Sequence, residues 1–245
     1  MRYVIYRENG SLIEITELKR KPSEVRVRGV ARRKARTLYE PRRQDNIRRA
    51  RQTCVRRVSA GISAFGCPLL VTLTFRGDAS DASFANDSLR SFQVRLRNKF
   101  PEARSLFVPE LSPRGRIHFH GLLFNVPLSL GDTIGRGAAH KNGEERKSRT
   151  LAKLWREGYV DVKQTDGSGK LASYISKYIT KGAGEIIFNA MRMVRVSGKF
   201  PKEILEHGEE AEKLARQYAT LKPIREWSGD NIFLGKITKK TYIKL

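Results

Sequence analysis

The chain has 245 residues, with 49 Lys and Arg against 25 Asp and Glu, for a formal charge of +24. Hydrophobic residues make up 39%, enough for a core and against full-length disorder, and the length suits one domain with appendages or two small ones. Two cysteines, Cys54 and Cys67, exclude a disulfide scaffold and a four-cysteine zinc site and fit a reducing cytoplasm, while no apolar run approaches the ~18 residues of a membrane helix and MRYVIYRENG lacks the apolar stretch of a secretory signal.

A charge this large calls for a polyanionic partner, and nucleic acid is the commonest. The distribution agrees. Residues 1–62 hold 18 Lys and Arg against 6 Asp and Glu, so a quarter of the chain carries half the net charge. Residues 1–18 alternate weakly through Val4, Tyr6, Leu12, Ile13 and Ile15, which predicts a hairpin around Asn9-Gly10. Residues 19–43 are mostly basic with no core periodicity and read as an arm that is loose without a polyanion. Residues 44–64 place Ile47, Val55, Val58 and Ile62 on one helical face, with Ala50 and Cys54 between them. Arg48, Arg49, Arg51, Arg56 and Arg57 cover the rest, as a solvated surface or as phosphate contacts.

From residue 68 the texture changes. LLVTLTF reads as a central strand, followed by a loop with Asp78, Asp81 and Ser83. Leu89, Phe92, Leu96 and Phe100 form a helical stripe ending before Pro101. Ser105–Glu110 and Arg116–Phe124 read as antiparallel strands joined by the turn Ser112-Pro113-Arg114-Gly115. Residues 131–149 read as a loop, Leu151–Glu157 as a helix, Tyr159–Gln164 as a strand and Leu171–Lys181 as a helix. This β-α-β-β-α-β-α order predicts an α+β fold, a ferredoxin-like antiparallel sheet of about five strands with helices on one face. Beyond 183 the pattern weakens to a strand over Met191–Val196, a helix over Pro201–Leu221 and a strand over Ile232–Ile237.

Two short stretches carry chemistry. In Ile117-His118-Phe119-His120, strand alternation puts both imidazoles on one face, about 7 Å apart at Cα. They are either the grip for a divalent ion or two polar residues on an exposed strand face. Hairpin pairing would bring Glu110 beside them, and two imidazoles with a carboxylate suit Mg²⁺ or Mn²⁺ acting on a phosphodiester, with zinc also open. In Tyr174-Ile175-Ser176-Lys177-Tyr178-Ile179-Thr180-Lys181, helical spacing puts Tyr174, Lys177, Tyr178 and Lys181 on one polar stripe beside Ile175 and Ile179. The stripe is either an ordinary amphipathic surface or two nucleophiles with cationic support. Gly167-Ser168-Gly169-Lys170 fails the phosphate-loop pattern, because Gln164 and Leu171 stand where glycine and Ser or Thr are required. His140 and His207 read as surface residues, Trp155 and Tyr159 as core. Trp227 beside Arg225 reads as packing, with base stacking as the other choice.

Together these motifs resemble the HUH endonucleases. His118-Phe119-His120 is similar to their metal motif, Tyr174–Lys181 to their tyrosine motif, and Leu70–Phe75 to their first, structural motif. The paired tyrosines, and the basic helix before the first motif, are most similar to rolling-circle replication initiators of single-stranded DNA phages, especially microvirus-like ones. The resemblance covers residues 44–182. It implies a basic arm and helix over 1–63, a nuclease domain over 64–185 and an extension over 186–245 that packs on the core. It implies metal ligation by His118, His120 and Glu110. Tyr174 attacks the scissile phosphate with Lys177 in support, and Tyr178 acts later with Lys181. The products are a 5′-phosphotyrosine and a free 3′-hydroxyl, without ATP. Arg114 and Arg116 join the helix arginines as DNA contacts. A single-stranded origin, host helicase and polymerase, and the bacterial cytoplasm follow as setting. A transposase or relaxase of the same kind, or a non-catalytic basic binding protein, are the other readings.

Overall fold

The computed structural model describes residues 3–22, 39–77, 79–127, 148–167, 170–182, 192–231 and 234–244. Most of the expected basic arm, most of the 131–149 loop and His140 lie outside them. The chain divides into two compact units, one of residues 1–42 with 201–245 and one of residues 43–200.

The longer unit follows the order α1 (Tyr39–Phe65), β3 (Leu69–Phe75), α2 (Ala82–Lys99), β4 (Arg104–Leu111), β5 (Ile117–Phe124), α3 (Arg149–Trp155), β6 (Gly158–Gln164), α4 (Lys170–Gly182) and β7 (Arg195–Ser197). Its strands lie in the order β6-β3-β5-β4-β7, and every pair is antiparallel. The first four are arranged as a ferredoxin-like sheet, and β7 adds an edge. Alternation explains the layering. Leu69, Val71, Leu73 and Phe75 of β3 turn to one side with Ile117, Phe119 and Leu123 of β5, and meet Leu89, Phe92 and Leu96 of α2 and Trp155 of α3. Trp155 and Phe92 are fully buried there, and each such side chain stabilises the fold by about 1.5–3 kcal/mol. The Asp81 carboxylate caps α2 by accepting from the Ser83 amide at 2.7 Å, and the helix stops at Phe100 before Pro101.

The other side of the sheet is not open. Ile47, Cys54 and Val58 of α1, and Leu171, Ile175 and Ile179 of α4, pack there on Leu106, Val108, Leu122 and Phe124. The expectation of helices on one face is therefore corrected to two helices on each. The reason is that β4 and β5 carry apolar residues of both parities over Leu106–Val108 and Leu122–Phe124, which only a two-sided cover buries.

The shorter unit joins the two ends of the chain. β1 (Tyr3–Asn9) and β2 (Leu12–Leu18) form the expected hairpin, and Gly10 takes φ 61° at the first loop position, as a II′ turn requires. β8 (Ile204–His207), α5 (Glu209–Arg216), β9 (Arg225–Asn231) and β10 (Gly235–Ile243) complete it. The strand order is β8-β1-β2-β10-β9, and α5 covers Val4, Tyr6, Ile13, Ile15 and Tyr242. Three expectations change here. The helix expected over Pro201–Leu221 is a strand followed by the eight-residue α5, started by Glu209, Glu210 and Glu212 at its positive end. The strand expected over Ile232–Ile237 is the hairpin β9–β10, and that over Met191–Val196 is β7. The boundaries at 63/64 and 185/186 also move, because α1 and β7 belong to the longer unit. Residues 204–243 pair with the N-terminal hairpin, whose apolar side needs a cover that two strands cannot supply themselves.

Candidate active site

β5 lies between β3 and β4, and its register sets the site. Thr74 pairs with His118 and Thr72 with His120 on one side, and Glu110 pairs with His118 on the other. Alternation keeps Ile117 and Phe119 in the core and turns both imidazoles to the α1/α4 side. Thr74 Oγ1 lies 3.2 Å from His118 Nδ1, and Thr72 Oγ1 lies 3.2 Å from His120 Nδ1. Each ring is thereby held by its inner nitrogen, and Nε2 is the atom each turns outward. His120 Nε2 lies 2.5 Å from Glu110 Oε2. Burial holds the His118 imidazole below its ordinary pKa, with Glu110 opposing the shift and Arg116 adding to it.

The tyrosine helix meets this cluster directly. The Tyr178 ring stacks on His120, with centroids 3.7 Å apart and planes 10° from parallel. The Tyr178 hydroxyl donates to the Tyr174 hydroxyl oxygen at 2.6 Å. Tyr174 is 43% exposed, while Tyr178 is half-buried. Burial first, then the hydrogen bond to Tyr174 and the charges of Tyr174 and Glu110, push the Tyr178 phenol well above its ordinary pKa. Ile175 and Ile179 anchor the opposite side of α4 in the core, so the helix cannot rotate its tyrosines away cheaply.

The structure thus brings together His118, His120, Glu110, Tyr174 and Tyr178. Lys177 is exposed on the same helix, and the Lys181 side chain lies outside the described residues. Arg48, Arg49, Arg51 and Arg57 are exposed on α1, and Arg56 is half-buried. Arg48 is paired with Asp45 at 3.1 Å. Arg114 and Arg116 are exposed on the β4–β5 turn, next to Glu110 and His118. Thr72 and Thr74 are the residues that sequence reasoning missed. Their signal was present, since LLVTLTF alternates hydroxyls in the same period as the two histidines. Tyr159 is corrected from core to surface at 65% exposure, because it falls on the outer parity of edge strand β6. Trp227 is corrected likewise, at 52% exposure. Trp155 is buried as expected, and its indole N–H donates to the Thr74 carbonyl at 3.0 Å. His207 is exposed, as expected.

Among the described residues, no three His, Cys, Asp or Glu side chains are already gathered around one point as an ion would need. Glu110 instead closes on His120. The donor set nevertheless fits a divalent ion. Two imidazoles and a carboxylate share one patch, and each Nδ1 has a threonine hydroxyl that can donate or accept as the tautomer demands.

Comparison with known proteins bears on the same stretch. Residues 68–183 match the family model of the ORF2-type replication-associated proteins. That interval contains the strand, histidine and tyrosine motifs. Replication-associated protein ORF4 of Chlamydia phage 1 is 30% identical over 122 residues, which is 46% of this chain and 30% of that protein. The chain is similar to phage replication-associated proteins. The matched stretch spans under a third of that relative's length. No solved structure matches the chain. Among the described residues, no helix is long and apolar enough to cross a membrane.

Proposed function

We propose that the protein initiates DNA replication by nicking single-stranded origin DNA with a tyrosine and later rejoining it. The observation that carries this reading is the contact of Tyr178 with both Tyr174 and His120, which joins the nucleophile pair to the imidazole–carboxylate cluster in one site. His118, His120 and Glu110 would hold Mg²⁺ or Mn²⁺, which when bound supplies a Lewis acid for a phosphate oxygen.

The chain's own residues divide the remaining work. The Tyr174 oxygen attacks phosphorus, the bond from phosphorus to the 3′ oxygen breaks, and the phenol proton ends on that leaving oxygen. The products are a 5′-phosphotyrosine and a 3′-hydroxyl, so atoms and charge balance without ATP. Tyr178 donates its hydroxyl proton toward Tyr174 and so favours the Tyr174 phenolate. Its own raised pKa keeps it a donor at neutral pH. Lys177 adds positive charge on the same helix face. After one round Tyr178 repeats the attack, and the 3′-hydroxyl released reverses the first linkage. The arginines of α1 and of the β4–β5 turn hold the phosphate backbone. No helicase function is assigned to these residues, so unwinding and synthesis fall to other proteins.

A denaturing gel tests the reading. Wild type, Tyr174→Phe, Tyr178→Phe and the double variant are incubated with Mn²⁺ and labelled single-stranded origin DNA. Label that stays on the protein and disappears in the double variant supports tyrosine-linked nicking. DNA that binds tightly, yet yields neither nick nor adduct with any origin strand, refutes it.

A further inference from the structure

The terminal sheet has two unlike sides. On the α5 side, the strand positions include Glu8, Glu17, Glu206, Glu226 and Asp230. On the side away from α5, the acid on the strands is Glu14, which pairs in register with Arg7. Arg225 and Lys239 lie on that second side, and Lys239 is directly opposite Trp227. The side chain of Trp227 lies along its own strand. A Cβ on Gly229 would stand 2.6 Å from the indole Cζ2, so the ring occupies the space over that glycine. Its other face is open, and the residue is 52% exposed. Gly229, Ile237, Leu18 and Tyr3 form one row across β9, β10, β2 and β1. The row therefore has an indole at one end and a phenol at the other, about 14 Å apart by strand spacing. The Lys21 ammonium lies 5.9 Å from the Tyr3 ring.

We propose that this side of the terminal sheet is a second binding surface for single-stranded DNA, on which Trp227 stacks against a base while Arg225 and Lys239 meet phosphates. The chemistry recommends this occupant. A large aromatic face left in water on an edge strand costs solubility and gains nothing in packing. Unpaired bases offer a π-face to stack on it, and basic side chains beside the ring match the backbone that comes with them. A paired duplex hides its base faces and would not fit. The surface goes beyond the proposed nicking site, since it lies outside residues 68–183 and needs neither tyrosine nor metal.

The test uses the full chain carrying Tyr174→Phe and Tyr178→Phe, so that DNA is bound and not cut. The chain has two tryptophans, and Trp155 is fully buried, so quenching on stacking reports Trp227. Oligo(dT) at saturation should quench the emission, and the same length of duplex should not. Trp227→Ala should weaken oligo(dT) binding about ten-fold. Gly229→Ala leaves the indole in place in the sequence but displaces it from its seat, and should weaken binding in the same direction. Arg225→Ala should lower the salt slope by about one phosphate contact. Unchanged emission at saturation, equal quenching by duplex, or a wild-type Kd in Trp227→Ala overturns the proposal and leaves the indole to a protein partner. Cleavage plays no part in this readout, so its failure and the failure of the nicking reaction are separable.

Discussion

Thr72→Val and Thr74→Val probe how the metal ligands are aimed. Each change swaps a hydroxyl for a methyl on the same β-branched frame, so β3 keeps its conformation while one imidazole loses its Nδ1 partner. Each lost hydrogen bond is worth about 1 kcal/mol, or about a five-fold change in an equilibrium constant. Both together give about 2 kcal/mol, or about thirty-fold, inside the roughly 10–100-fold range typical of partners that orient metal ligands. The assay is Mn²⁺ titration by calorimetry, run beside the Mn²⁺ midpoint of DNA cleavage. Single variants should bind Mn²⁺ about five-fold more weakly and the double variant about thirty-fold. Circular dichroism should show the fold retained. A double variant with wild-type Mn²⁺ affinity would refute the argument that the threonines set the tautomer and aim of His118 and His120.

Gly121→Ala should destabilise the longer unit by about 1–3 kcal/mol, seen as a lower urea midpoint with unchanged slope. The added Cβ would fall 2.8 Å from the Leu106 carbonyl oxygen and closer still to the Phe107 ring, so an unshifted midpoint would contradict the packing described. Of the two thiols, Cys67 is exposed, while burial pushes Cys54 up to about 12. An aromatic disulfide reagent at mild alkaline pH should therefore titrate one thiol fast and the second only on unfolding, and two fast thiols would count against a buried Cys54. His118 is held below its ordinary pKa of 6.5 in the folded chain. The unfolded chain therefore binds the proton first, and stability should fall as pH drops through 6.5. His118→Gln should flatten that fall, and equal pH slopes for the two proteins would remove His118 from the account.

The parts of the chain that show themselves in sequence are those where one period dominates. The α2 stripe, the β3 run and the β4–β5 hairpin are built on strong apolar alternation, and all three form where expected. The histidine and tyrosine motifs are legible for the same reason, since alternation and helical spacing fix which side chains share a side. The terminal sheet is harder. β9 reads Arg-Glu-Trp-Ser-Gly-Asp-Asn and lies at an edge with both sides largely in water, so no apolar period marks it. β8 owes its existence to β1, which lies about 200 residues earlier, and no local pattern announces such a partner. The same distance hides the domain boundaries, because a unit made from both ends of a chain has no composition break of its own. The Tyr178–His120 stack is invisible for a related reason. It depends on how α4 crosses the sheet, and spacing within either motif is silent about that.

A site assembled this way is only as accurate as the register of one strand. β5 carries core residues and site residues in strict alternation, so a slip of one position would send both imidazoles into the Phe92–Trp155 core and expel Ile117 and Phe119. The energy that opposes the slip comes from those buried side chains and not from the site. Gly121 strengthens the lock, because Phe107 fills the space its missing side chain leaves, and no neighbouring position of β5 could accept that ring. The hydroxyl pairs then add fine aim at little cost, since Thr72 and Thr74 sit on a strand already pinned by Leu73 and Phe75. Stability and chemistry are thus carried by opposite sides of the same three strands. It follows that core substitutions on β5 should disturb metal binding and cleavage before they unfold the chain, as the Gly121→Ala variant allows to be measured in one protein.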